Sequence, residues 1–330
     1  MTRAPRRVRR QLLGALAVLP VALARRARAQ GPYPTRAVRI VVPYSVGIGP
    51  DIVARAVGEH LASQWGQPVV IDNRPGASGI VAFNEVRTTV PDGHTLFIGD
   101  TGTLAVNPLI HASLPYNCDR DLVPITKLFY ATLAIQVGGA SRFASMADLL
   151  AEARRAPGMV SYASLGIGHP MHVAVESMAH AANLQLLHVP FREGGALMSA
   201  VAGGYVDFTP LSMYTASGLA KGGKLRALAV ADNKRLRNHP DLPTIAECGG
   251  PPTVMHPWAA LVAVTGTPPS VIAALYRDVV AALLASEVRG RIEGAGFDID
   301  PLAPKDLKAL IAADTAEYAV LVREGRVQQV

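Results

Sequence analysis

Cysteine, aromatic residues and charge are all scarce in this chain, and each shortage excludes a class. Two cysteines in 330 residues cannot frame a disulfide scaffold, and Cys118 and Cys248 stand 130 residues apart with no metal-type or redox spacing. Aromatics at 5% leave few stacking platforms for single-stranded nucleic acid. Charged residues make up 17% against 50% hydrophobic, a balance that excludes disorder. After the leader no uninterrupted apolar stretch reaches the ~18 residues of a membrane span. Lys, Asp and Glu are missing altogether from residues 1–29, which hold eight arginines; taking those eight from the formal net charge of +7 leaves −1 for the remainder. The basic character belongs to one end segment, so no nucleic-acid partner is expected.

That end segment reads as a secretory signal peptide. Five arginines up to Arg10 precede an apolar run of 13 residues, Leu12 to Ala24, and Ala27-Arg28-Ala29 places small residues where a signal peptidase reads them. The run is too short to cross a ~30 Å hydrocarbon core. Arg9-Arg10-Gln11-Leu12-Leu13 admits twin-arginine as well as Sec export. A mitochondrial-type presequence is the alternative, and the compact apolar block favours export. Export would place the two cysteines in an oxidising space, but their spacing gives no reason to pair them.

At roughly 150 residues per domain, the length suggests two domains. Val38 to Tyr44 reads as a buried strand broken by Gly47-Ile48-Gly49-Pro50-Asp51, and Ile52, Val53, Ala56, Val57 and Leu61 share one face of a following helix. Pro68 to Asp72 and His94 to Gly99 read as strands, with Ile80 to Thr89 helical between them. After the segment Leu122 to Val137, Ser145 to Asp148 forms a capping box, Val160 to Ser164 a short strand, and Gly166-Ile167-Gly168-His169-Pro170 repeats the earlier turn 119 residues on. A helix from Met171 to Ala182, strand Leu184 to Val189, helix Ala196 to Ala202 and strands Val206 to Thr209 and Leu225 to Ala231 follow. An extended segment Thr253 to Thr265 and helices Pro269 to Glu293 and Pro304 to Glu324 end the chain. The alternation predicts an α/β fold with mainly parallel sheets and two similar lobes. The crossings fall near residues 132 and 254, giving lobe 1 as 30–132 plus 254–330 and lobe 2 as 133–253.

Each Gly-Ile-Gly turn ends a strand and opens a helix, which aims backbone N–H groups outward at the positive end of a helix dipole. Two such turns from two lobes would converge on an interlobe cleft. Rival readings fail on spacing. The dinucleotide fingerprint would need glycine where Ile52 and Met171 stand, no GxxxxGK loop occurs, and no GxSxG elbow places Ser45, Ser78 or Ser164 as a nucleophile. His169 and His172 have HxxH spacing without an HExxH glutamate, so no metal site is expected. His169 would either donate to a ligand carboxylate or stand as a solvated turn residue. Asp51 in the first helical turn is explained by capping alone, worth roughly 0.3–1 kcal/mol, and capping is compatible with ligand contact. Arg192 is the candidate for bidentate carboxylate pairing. Thr101, just past the strand 94–99, completes the candidate set. Nothing points to a cofactor.

The chain resembles the substrate-binding proteins of tripartite tricarboxylate transporters, the Bordetella uptake gene (Bug) family. The resemblance runs through Tyr33-Pro34, Val42-Pro43-Tyr44, Asp51 to Arg55, Gly66 to Val70, Asn73 to Ala77, Pro91-Asp92-Gly93, Asn107-Pro108 and Leu114-Pro115-Tyr116. In the second half it continues with Tyr162-Ala163-Ser164, Gly166, Gly168, His172, His188-Val189-Pro190, Gly223 to Val230 and Leu242 to Glu247. It implies a two-lobed periplasmic binding protein of type II, with a cleft closing on a small organic carboxylate that is handed to membrane permease subunits. It also implies ligand contact by backbone amides and water at Tyr44, Ser45, Val46, Gly47, Ile48, Gly49 and Asp51, and at Ser164, Gly166, Gly168 and His169. The family usually has a second glycine where Ile48 stands and Ser or Thr where His169 stands, so these two positions are expected to set specificity, with protonated His169 strengthening anion binding. A sensory protein signalling to a membrane kinase, and an exported hydrolase or lyase, are the rival functions.

Overall fold

The computed structural model describes residues 33–47 and 49–330; the expected signal peptide, 1–29, and Ile48 lie outside the described residues. The first apolar run forms β1 (Val38–Val42), whose Val38, Ile40 and Val42 enter one core while Val41 enters another. A strand buried on both faces explains why it reads as a continuous apolar run rather than an alternation. The chain continues through α1 (Gly49–Trp65), β2 (Val69–Asn73), α2 (Ile80–Val86), β3 (Thr95–Asp100), α3 (Asn107–Ile110), α4 (Cys118–Asp121) and β4 (Leu122–Tyr130). A second series follows: β5 (Leu133–Gly138), α5 (Met146–Arg155), β6 (Ser161–Ser164), α6 (Pro170–Ala181), β7 (Leu187–Pro190), α7 (Gly194–Ala202), β8 (Phe208–Ser212), α8 (Met213–Lys221) and β9 (Leu225–Val230). The chain then returns with β10 (Trp258–Val264), α9 (Pro269–Leu284), α10 (Ser286–Gly294) and α11 (Pro304–Arg323).

Two five-stranded sheets result, ordered β2-β1-β3-β10-β4 and β7-β6-β8-β5-β9. The expectation of mainly parallel sheets is corrected. β10 runs antiparallel to β3 and β4, and β5 runs antiparallel to β8 and β9, so parallel pairing is confined to β1 with β2 and β3 and to β6 with β7 and β8. Both exceptions enter their sheet from the other one, which reverses their direction. The segment 122–137 is thus two strands in different sheets, joined at Ala131-Thr132. The crossing segments bond to each other, Ala131 N–H to Pro257 C=O at 2.9 Å and Leu133 N–H to Met255 C=O at 3.2 Å.

Local expectations shift at element ends. The capping box opens α5, with Ser145 accepting from Asp148 N–H and Asp148 from Ser145 N–H. The single helix expected over 269–293 breaks at the extended Ala285, and the break turns α10 so that Val288 and Ile292 join the core beneath α1. The strand expected from Leu184 starts at Leu187, because Asn183 adopts a positive φ and Leu184 closes the α6 terminus with a bond to Ala179 C=O. Cys118 and Cys248 are both free thiols. No helix among the described residues is long and apolar enough to cross a membrane.

β1 leads to β2 on one side and β3 on the other, and β6 likewise stands between β7 and β8. The loops 43–49 and 164–169 therefore leave the switch points of their sheets, the place where α/β sheets open a crevice. The lobes also touch beside this crevice, where a Cβ on Gly296, held at φ +80°, would run into Tyr214. Gly325 has a similar φ of +71° with open space around it. Gly325→Ala should therefore cost only the left-handed strain, about 1–2 kcal/mol, whereas Gly296→Ala should cost about 1–3 kcal/mol more, read as the difference between two urea melts.

Candidate functional site

The first loop is held by a carboxylate from its own helix. Asp51 Oδ2 accepts from Gly47 N–H at 2.8 Å and Arg55 Nε at 3.0 Å, and Oδ1 accepts from Asn73 Nδ2 and Arg55 Nη2, both at 2.9 Å. Asn73 Nδ2 also donates to Tyr44 C=O at 2.9 Å. Burial works to raise the Asp51 pKa, but the hydrogen bonds from Arg55, Gly47 and Asn73 outweigh it and hold the carboxyl below its ordinary range. Asp51 is buried and engaged on both oxygens by the protein's own donors. Gly47, at φ +83°, supplies the left-handed turn that brings its N–H to Asp51. Ser45 and Val46 are exposed, and their N–H groups make no hydrogen bond among the described residues. Gly49 opens α1 beneath Phe297.

Beside this loop, Asp100 and Thr103 cap each other, Thr103 N–H to Asp100 Oδ1 at 2.7 Å and Asp100 N–H to Thr103 Oγ1 at 2.7 Å. The Tyr44 hydroxyl donates to the second Asp100 oxygen, and burial and that carboxylate push the phenol far above its usual range. Thr101 between them is buried, and its Oγ1 accepts from Trp258 N–H at 3.2 Å. Its hydroxyl faces the crossing segment.

The second loop is held by neutral groups. Ser164 Oγ lies 3.1 Å from both Gly166 N and Gly166 O and 2.6 Å from His188 Nε2. All three contacts are satisfied when His188 carries its proton on Nε2, donating to Ser164 while Ser164 donates to Gly166 C=O. Gly168 N–H donates to His172 Nδ1 at 3.1 Å, and Met171 N–H to His169 Nδ1 at 3.2 Å, so His169 caps α6 and keeps Nε2–H as a donor. His172 and His188 stack at 4.0 Å, and the Tyr162 ring lies 5.0 Å from His188 and 6.3 Å from His172. Gly168, at φ +75°, lies where a Cβ would run into Ile110 of the first lobe. A Cβ on Gly102 would likewise sit 3.4 Å from Pro170 Cδ. The two lobes thus meet at the second loop.

Burial pushes His169 and His188 down to about 4, and burial with neighbouring His188 and His169 pushes His172 down to about 3. A nearby Asp100 opposes the shift at His169 without reversing it. Burial thus favours the neutral imidazole at His169, against the expectation of a protonated anion holder. The Ser164–His188 pair, formed across 24 residues, is the base and hydroxyl that sequence spacing did not reveal. Ser164 is 0% exposed, so no substrate reaches it as a nucleophile.

Three of the expected outward N–H groups, those of Gly47, Gly166 and Gly168, are engaged within the protein. The N–H groups of Ser45, Val46, Leu165 and Ile167 make no hydrogen bond among the described residues. Arg192 is exposed and forms no ion pair among them; it follows Phe191, whose N–H donates to Ser164 C=O at 2.9 Å. Arg55, Asn73, Asp100 and His188 were missed as supports of the site. Asp-x-x-Thr at 100–103 is a legible reciprocal cap, whereas the Asn73 and His188 contacts are tertiary. A group of three or more side chains able to hold a metal ion does not occur among the described residues.

The histidine stack makes stability fall with acid. The folded histidines, with depressed pKa values, bind fewer protons than their unfolded counterparts below about pH 6.5, so stability is lost as pH drops from 6.5 toward 4. For the buried His172 the loss at pH 4.5 is about 2–3 kcal/mol. In denaturant melts at pH 7 and pH 4.5, His172→Asn should be less stable than the parent at pH 7 and lose that deficit at pH 4.5; a deficit that does not change with pH would show that His172 does not titrate this way.

Comparison with known proteins fits this arrangement. The profile described as tripartite tricarboxylate transporter family receptor, TctC, matches residues 53–326. A protein of Pseudomonas sp. strain P51, described as the UPF0065 protein in the tcbD-tcbE intergenic region, is 33% identical over 96% of this chain and 95% of its own length. Protein BugT of Bordetella pertussis is 30% identical over 88% and 90%. Among solved structures, Rpa4515 of R. palustris with adipate superposes with a TM-score of 0.81 at 28% identity, over 90% of this chain and all of that one. MatC of Rhodopseudomonas palustris with bound malate superposes with a TM-score of 0.75 at 28% identity, over 88% and 100%. The profile match takes in strands of both sheets and the second switch-point loop, the Pseudomonas relative aligns over nearly the whole chain, and the chain belongs to the TctC family of tripartite tricarboxylate transporter receptors, a family of solute-binding receptors and not of enzymes.

Proposed function

We propose that this chain is a periplasmic solute-binding protein that takes a small organic carboxylate into the cleft between its lobes and delivers it to the permease subunits of a tripartite tricarboxylate transporter. The observation that carries the reading is the placement of loops 43–49 and 164–169 at the switch points of two facing sheets, each with open N–H groups, in a chain similar to proteins solved with adipate and with malate. Residues 30–132 with 254–330 form lobe 1 and 133–253 form lobe 2, and the export signal at 1–29 accounts for the compartment.

The ligand carboxylates accept from the backbone of Ser45 and Val46 on one side and of Leu165 and Ile167 on the other. Arg192 supplies positive charge from the second lobe, and neutral His169 supplies Nε2–H. Ile48 and His169 replace the residues usual at these places and set the ligand's size and polarity. Ser164 acts from below by holding Gly166, so its loss leaves a loop N–H unpaired.

A thermal-shift screen of residues 30–330 against malate, adipate, citrate, aspartate and an aromatic acid, with uncharged amides as controls, tests the reading. A ligand at 100 times its Kd adds about 2.7 kcal/mol, which raises the midpoint by about 5 °C in a protein of this size. One acid class should produce that shift and no product should form. Ser164→Ala should then weaken that acid about tenfold. Folded protein that no acid stabilises would overturn the proposal.

A further inference from the structure

The segment that follows α11 braces the two lobes against each other. Gly325, at φ +71°, reverses the chain, and Arg326 N–H closes the turn on Leu321 C=O at 2.9 Å. Val327 packs with Leu321 against Val106 and Ile110 of the first lobe and Val173 of α6 in the second. Val330 N–H donates to Ile110 C=O at 2.8 Å and Gln329 Nε2 to Leu109 C=O at 3.2 Å, which ties the segment to α3. Ile110 is also the residue that a Cβ on Gly168 would meet, so α3 lies directly against the second loop.

From this brace one side chain crosses into the second lobe. Arg326 Nη1 donates to Leu184 C=O at 3.1 Å and lies 3.7 Å from Oε2 of Glu176 on α6. Glu176 is buried, its Oε1 accepts from the Tyr162 hydroxyl at 2.6 Å, and Arg326 is its one cationic partner among the described residues. Burial pushes the Glu176 carboxyl up, against the pull of the Tyr162 hydroxyl and the Arg326 guanidinium. The Tyr162 ring in turn lies with His172 and His188, the two imidazoles that hold Gly168 N–H and Ser164 Oγ. A line of contacts thus runs from the last residues of lobe 1 to the backbone of the second loop.

We infer that Arg326 is a positioning residue for the second loop: from lobe 1 it holds Glu176, Glu176 holds Tyr162, and the histidines beside Tyr162 fix the turn 164–169. Parting the lobes takes Arg326 from Glu176 and leaves a buried carboxylate without its cation, so the contact ties the order of the loop to the closure of the cleft. The consequence for function, that losing Arg326 weakens a ligand it does not touch, rests on the reading of the cleft as the carboxylate site.

Hydrogen–deuterium exchange of residues 30–330 without ligand tests the inference. Arg326→Ala should speed exchange at the bonded N–H groups of Gly166, Gly168 and Met171 about tenfold, while β1 in the core of lobe 1 keeps its protection. Arg326→Lys, which returns the charge, should recover most of the loss. Glu176→Gln, which keeps an acceptor for Tyr162, should loosen the loop by a similar factor, and adding Arg326→Ala to it should bring little more, because both act through one contact. Glu324→Gln, which breaks the exposed bridge to His180 between the same lobes, should change exchange in the loop less than about twofold. Unchanged exchange in Arg326→Ala, a rise spread equally over β1 and the loop, a lysine variant no better than alanine, additive losses in the double variant, or an equal effect of Glu324→Gln would each overturn the inference. No ligand is used, so these results stand apart from whether the cleft takes a carboxylate.

Discussion

Four hydrogen bonds from three residues converge on the buried carboxylate of Asp51, and the shape of the first loop depends on them. Asn73 ties the carboxylate to β2 and, through the Tyr44 carbonyl, to the end of β1. Hydrogen bonds to a charged group each contribute about 1.5–3 kcal/mol, and removing one partner leaves a buried charge uncompensated. The loop is therefore fixed before any ligand arrives. Arg55 cancels the charge, so Asp51 neither attracts nor repels an anion at a distance. The positive end of α1 is answered by the protein's own carboxylate, and a bound acid has to be held by the exposed amides further out on the turn.

The second loop reaches the same preorganised state with uncharged acceptors. Ser164, His169 and His172 each take an N–H from the turn or the first residues of α6. Burial keeps the three histidines of this region neutral, so the loop carries no formal charge at physiological pH. One Gly-x-Gly backbone is thus stabilised in two ways, by an ion pair in the first lobe and by imidazole lone pairs in the second. A ligand that enters such a site gives up its own freedom while the loops lose little, which is where preorganisation raises affinity. Formal positive charge near the second loop is left to Arg192, which stands exposed at its margin.

Much of this was legible in the sequence, and the illegible part has a common cause. The apolar run of β1, the helical face of α1, the capping box at Ser145 and the repeated glycine turns are local patterns, and each formed where its period or spacing placed it. The direction of β5 and β10 is not a local property. Their apolar runs specify burial on both faces, and the antiparallel pairing follows from entering a sheet out of the other lobe. The role of Asp51 failed to show for the same reason: a first-turn carboxylate is expected to cap, but its partner Asn73 lies 22 residues away on β2. The neutrality of His169 depends on the helix and loop that bury it, which no pattern around Gly168 encodes.

The crossing segments decide which contacts a change in lobe angle must break. Their mutual backbone bonds, Ala131 N–H to the Pro257 carbonyl and Leu133 N–H to the Met255 carbonyl, tie the two passages between the lobes to each other. Away from those bonds the lobes meet through apolar contacts, Tyr214 at Gly296, Pro170 at Gly102 and Val173 of α6 against Leu321 and Val327 beside α11, and through polar ones, His180 with Glu324 at 2.9 Å and Arg326 with the Leu184 carbonyl at 3.1 Å and Glu176 at 3.7 Å. Because α6 carries the second loop at its N-terminus and meets α11 along its side, any slide of α6 past α11 moves that loop relative to the first. The cleft and the packing beside the hinge are therefore two ends of one mechanical element.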